Sequence, residues 1–102
     1  MSVIYADTTN LDEQVKQGTV ILDFYADWCG PCKMIGPVLE QVAEENSDLT
    51  VVKVNVDENI SLAQQYGVQG IPALFVLKEG KVVAQKAGFM PKEAILNWVR
   101  SA

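Results

Sequence analysis

The chain has 102 residues, 49% of them apolar, and a formal net charge of −5. That length suits one domain over residues 1–102 with a core of its own, without metal or disulfide staples, and the apolar fraction excludes a disordered chain. Eight Lys and Arg against thirteen Asp and Glu argue against a protein that tracks nucleic-acid phosphates, and no apolar stretch is long enough to span a membrane.

Met1 to Thr9 carries an early Asp7 and no apolar core of signal-peptide length, so a cytoplasmic location is expected. Val3 to Ala6 reads as a short edge strand. Thr8 to Asn10 offers N-cap oxygens to a helix that places Leu11 and Val15 on one face and stops at Gly18. Val20 to Ala26 is nearly continuous apolar sequence, the pattern of a strand covered on both faces. Ile35, Val38, Leu39, Val42 and Ala43 recur at helical spacing up to about Asn46, with a kink expected at Pro37. Thr50 to Val56 is another covered strand, and Ile60 to Tyr66 a short helix ended by Gly67. Ala73 to Leu77 and Lys81 to Ala87 flank the turn Lys78-Glu79-Gly80 and form a hairpin. Pro91 opens a last helix whose buried stripe is Ala94, Ile95, Trp98 and Val99. The order β-α-β-α-β-α-β-β-α implies an α/β fold. Its mixed central sheet has about five strands, with helices on both faces.

The two cysteines, Cys29 and Cys32, fall between a covered strand and a helix. In α/β sheets, ligand chemistry gathers beyond the carboxyl ends of the strands. Free N–H groups and the helix dipole favour a thiolate at that end. The i, i+3 spacing brings both side chains to one face of the first turn, close enough to bridge. Gly30 permits a tight approach, and Pro31 suits a helix's opening turn. Cys29, ahead of the helix, is expected to be the more exposed, attacking thiolate. Cys32, one turn in, is the more covered and resolves the mixed disulfide. A zinc site is the alternative, but four ligands are usual and the chain has no His and no third Cys. The expected metal content is none.

Asp23 interrupts a strand that otherwise reads as core, and Lys53 interrupts the next one in the same way. The two either pair inside the sheet, which offsets part of the desolvation cost, or point to a solvated edge. Trp28 reads either as core or as a surface ring over the cysteines.

Taken with WCGPCK at Trp28 to Lys33, the segments DFYADWCGPCK, VNVDEN and YGVQGIPALFV and the late Gly88 closely resemble the thioredoxin family, almost end to end. That resemblance implies the thioredoxin fold, with Pro72 cis and facing the dithiol. Asp23, paired with Lys53, matches the family's buried proton-transfer carboxylate, and so implies a general base toward Cys32. Trp28, Gly30, Pro31, Ile71, Pro72, Gly88 and Phe89 match an apolar docking surface around Cys29, where a substrate strand pairs with backbone. Tyr25 stands where many relatives have Trp, Ala73 where Thr is frequent, and Phe89 where a small residue is common.

The resemblance implies a protein-disulfide reductase that binds no cofactor and works through the Cys29–Cys32 dithiol. Its partners are disulfide-containing proteins and a thioredoxin reductase, with no nucleic acid and no membrane, and the expected form is a monomer. Direction follows from the residues: Gly30-Pro31 places no charge or imidazole between the cysteines, so the thiolate gains little and the dithiol is a reductant. The rivals are an oxidant or isomerase of the same fold, and a binding subunit in which the thiols are dispensable.

Overall fold

Apolar runs long enough to be covered on two faces dominate the middle of the chain, and they form the centre of a sheet. The computed structural model describes residues 3–102; Met1 and Ser2, which open the segment read for a targeting signal, lie outside the described residues. Among the described residues the strands are β1 (Val3–Tyr5), β2 (Thr19–Tyr25), β3 (Leu49–Asn55), β4 (Ala73–Lys78) and β5 (Lys81–Ala87). The helices are α1 (Leu11–Val15), α2 (Gly30–Glu45), α3 (Ile60–Gln65) and α4 (Lys92–Ser101). The sheet runs β1-β3-β2-β4-β5. β3 is parallel to both β1 and β2, and β4 is antiparallel to β2 and β5. The mixed five-stranded sheet with helices on both faces is therefore present.

Strand alternation divides the core in two. Val20, Leu22 and Phe24 of β2 join Val52, Val54, Phe75 and Leu77 under Leu11 and Val15 of α1 and Leu62 of α3. Ile21 joins Val51, Leu74 and Val76 on the opposite face, under Ile35, Leu39 and Val42 of α2 and Ile95 and Val99 of α4. Asp23 has the parity of Ile21, and Lys53 that of Val51. Both charged groups therefore project from the sheet face that α2 covers.

α2 runs from Gly30 to Glu45 with Pro37 inside it. Two local expectations change. The α4 stripe is Ile95 and Val99, flanked by half-buried Leu96 and Trp98; Ala94 is exposed, so neither it nor Trp98 is core. The hairpin turn is two residues long, Glu79 and Gly80, both at positive φ, the requirement of a type I′ turn, while Lys78 still pairs with Lys81. α3 ends as the sequence suggests: Gly67, at φ +68°, lets its own N–H reach Gln64 O and the Val68 N–H reach Ala63 O, closing the helix end. No helix among the described residues is long and apolar enough to cross a membrane.

Candidate active site

The carboxyl end of β2 delivers the chain to Ala26, and Cys29 caps α2 with extended backbone at φ −91°, ψ 113°. Cys29 and Cys32 are joined as a disulfide, with Cα atoms 5.2 Å apart. The Cys32 backbone N–H donates to Cys29 Sγ at 3.1 Å, so a sulfur occupies the place of an N-cap oxygen. Pro31 lies in the opening turn, where its missing N–H leaves no partner unmet.

Exposure does not separate the two cysteines as expected. Cys29 is 4% and Cys32 5% exposed, and both pack in a small cluster with Ala26 against Tyr25, Val56 and Ile71. The disulfide ties the two sulfurs into this cluster. The groups exposed around them are Asp27, Trp28, Gly30, Pro31, Lys33 and Met34.

Ile71–Pro72 is a cis peptide. Ile71 is half-buried, its carbonyl oxygen 3.8 Å from Cys29 Sγ. Pro72 is buried and so contributes no docking surface of its own. Its carbonyl accepts the Gly88 N–H at 2.8 Å, which ties the Gly88–Phe89 loop to the proline. Gly88 has φ +96°, a conformation closed to most side chains. Phe89 is 42% exposed beyond it.

Asp23 and Lys53 are directly opposed in the parallel register of β2 and β3. Of the two alternatives, pairing inside the sheet is the one present. Asp23 is fully buried, with Lys53 Nζ 3.7 Å from its Oδ2. That distance makes an ion pair but not a hydrogen bond, and neither Asp23 carboxylate oxygen has a hydrogen-bond partner among the described residues. Burial raises Asp23 from 3.8 to about 6, against the opposing pull of the Lys53 ammonium. This is a carboxyl group able to change protonation near neutral pH.

Trp28 is a surface ring, 70% exposed, and its indole N–H donates to Asp57 Oδ2 at 2.8 Å. Nothing in the sequence around Asp57 itself marks it, although VNVDEN contains it. The signal that could have found it is Asn55, whose type is rare at a strand end unless it closes a turn. Its side-chain oxygen accepts the N–H groups of Asp57 and Glu58 at 2.8 and 3.2 Å. Buried Asn59 braces the same loop by donating to Asn55 O at 3.0 Å and accepting the Thr8 N–H at 3.1 Å. Among the described residues no cluster of three His, Cys, Asp or Glu could hold a metal ion.

The arrangement is a disulfide at a helix N-terminus beside a cis proline, with a buried carboxyl group on the sheet face that α2 covers. Comparison with known proteins agrees with it. The thioredoxin family model matches residues 2–101. The chain is 49% identical over 100 residues to the thioredoxin of Bacillus subtilis, covering 97% of this chain and 96% of that one. It is 44% identical over 94 residues to the thioredoxin of Staphylococcus haemolyticus, covering 91% and 90%. A solved mutant thioredoxin from Halobacterium salinarum superposes with a TM-score of 0.91 at 40% identity, over 98% of this chain and 89% of that one. The chain belongs to the thioredoxin family of thiol–disulfide oxidoreductases.

Proposed function

We propose that the protein is a general protein-disulfide reductase in which Cys29 is the attacking thiolate and Cys32 the resolving thiol. The observation that carries this assignment is the Cys32 N–H donated to Cys29 Sγ at the start of α2. The same N–H would meet a Cys29 thiolate, and the helix dipole favours charge there. Cys29 attacks one sulfur of the substrate disulfide, expelling the other as a thiolate and forming a mixed disulfide. Asp23 takes the Cys32 proton; the Cys32 thiolate then attacks Cys29 Sγ, and the substrate's second sulfur leaves as a thiolate. Two electrons pass from the dithiol to the substrate, and the Cys29–Cys32 disulfide remains.

Trp28, Gly30, Pro31, Ile71, Gly88 and Phe89 receive the substrate chain around Cys29. Backbone pairing at Ile71, ahead of the cis Pro72, orients it, a form of strand addition. No group lies between the cysteines to stabilise the thiolate strongly, which makes the dithiol a donor of electrons. The protein acts as one domain and as a monomer in the cytoplasm, on disulfide-bearing proteins and not on nucleic acid or membrane. A thioredoxin reductase restores the dithiol, and no bound cofactor takes part.

The test is NADPH-driven turnover of a protein disulfide, with thioredoxin reductase as electron source. Wild type should turn over many equivalents, and Cys29→Ser none. Turnover by Cys29→Ser at the wild-type rate would remove Cys29 as nucleophile.

A further inference from the structure

We propose that Tyr25, with Tyr5 as its outer wall, is a positioning residue that holds the Lys53 ammonium beside Asp23 and thereby sets the proton affinity of that carboxylate. The inference deepens the Asp23 role proposed above and rests on it for its consequence in the reaction.

Lys53 Nζ lies 4.9 Å from the Tyr25 ring centroid and 5.8 Å from that of Tyr5. Both separations are within the range at which a ring face attracts a cation. The two rings meet edge to face, 6.3 Å apart at 81°, and so brace each other. Tyr25 also packs against the cluster of Ala26, Cys29 and Cys32, which fixes its place. Burial holds its hydroxyl above the ordinary 10.0, so the ring stays neutral and acts through its face.

A lysine with a 3.7 Å ion pair and no hydrogen bond to that carboxylate needs such confinement. Its side chain is long and flexible, and two cavities give it room. One, of about 410 Å³, is bordered by Asp27, Cys32, Lys33 and Gly36; the other, of about 210 Å³, by Asp7, Asn55 and Glu58. Tyr25 and Lys53 line both. The carboxylates of Asp7, Asp27 and Glu58 would therefore draw the ammonium away from Asp23, while Lys33 on α2 repels it. The Tyr25 face, flanked by Tyr5, opposes that pull. Without it the ammonium moves toward the cavities, Asp23 loses part of its counter-charge, and its carboxyl group holds its proton to higher pH.

The test is a carbon-detected NMR titration of the Asp23 carboxyl group in the oxidised protein, which needs no turnover. Tyr25→Leu should raise the Asp23 midpoint by roughly half a pH unit, about threefold in proton affinity. Tyr5→Leu, at an exposed edge-strand position that the fold tolerates, should move it less in the same direction. Tyr25→Phe, which keeps the ring face, should restore the wild-type midpoint. An unchanged midpoint in folded Tyr25→Leu and Tyr5→Leu would overturn the proposal. So would a Tyr25→Phe midpoint displaced as far as that of Tyr25→Leu. The pH profile of mixed-disulfide resolution should follow the NMR midpoint. If the midpoint moves and the profile does not, the cradle stands and the proton role of Asp23 is what fails.

Discussion

Replacing Asp23 by Asn tests the electrostatics of the site through stability alone. Asp23 is fully buried beside one ammonium, and its carboxyl rises from 3.8 to about 6 on folding. A carboxyl whose folded value lies above its unfolded value binds more protons in the folded state between those two points. Stability contributed by the neutral form is therefore complete below about pH 4 and is lost as pH rises through 6. The interval spans a little over two decades of proton affinity, about 3 kcal/mol at roughly 1.4 kcal/mol per decade. Asn at this position cannot titrate. Its unpaired amide and the orphaned Lys53 ammonium add costs of their own, but in the window of Asp23 those costs do not vary with pH. The quantity to read is thus how the difference between wild type and Asp23→Asn changes with pH. Urea unfolding of the oxidised proteins from pH 4 to 8 should show the variant gaining about 2 kcal/mol relative to wild type across that range, because the unfolded carboxyl is already partly ionised at pH 4. A difference constant to within about 0.5 kcal/mol would refute the buried, destabilised carboxylate.

Asp57→Ala removes the acceptor of the Trp28 indole N–H; tryptophan fluorescence should change and KM for a protein disulfide should rise several-fold, with global stability nearly unaltered, and Asp57→Asn should recover much of the loss. Phe89→Ala should change the relative reduction rates of several protein substrates, since the ring adds exposed apolar bulk beside the Gly88–Pro72 link; identical relative rates would exclude a part in partner choice. Leu39→Ala, at a fully buried position of α2, should cost about 2–5 kcal/mol in urea unfolding. Gly67→Ala forces a side chain into φ +68° and should lower stability by about 1 kcal/mol.

Much of this architecture is legible in the sequence because burial on two faces leaves an unbroken apolar run, as in β2 and β3. Asp23 and Lys53 stand out for the same reason: each is the lone charge in such a run. That they pair was not decided by the residues, since strand register is a tertiary property. In the structure β2 and β3 align in parallel, so Asp23 directly faces Lys53. The burial of Cys29 escaped the sequence because a cysteine ahead of a helix looks open to solvent. It is covered by the Ile71 loop, which comes from 42 residues away. Asp57 and Tyr5 escaped for a similar reason. An acid in a loop and a tyrosine in an edge strand gain meaning only through what they touch, here Trp28 and Lys53. Ala94 falls on the helical stripe by spacing, yet α4 meets α2 and the sheet along Ile95 and Val99, with Leu96 and Trp98 half-buried beside them.

The order of attack is tested most directly by trapping. Reduced Cys32→Ser and Cys29→Ser proteins are mixed with a protein disulfide, quenched with acid and mapped by mass spectrometry. Cys32→Ser should accumulate a mixed disulfide on Cys29 that persists, because the thiol that would release the substrate is gone. Cys29→Ser should form little or none. An adduct on Cys32 that forms as fast as the one on Cys29 would contradict Cys29 as the nucleophile that opens the reaction.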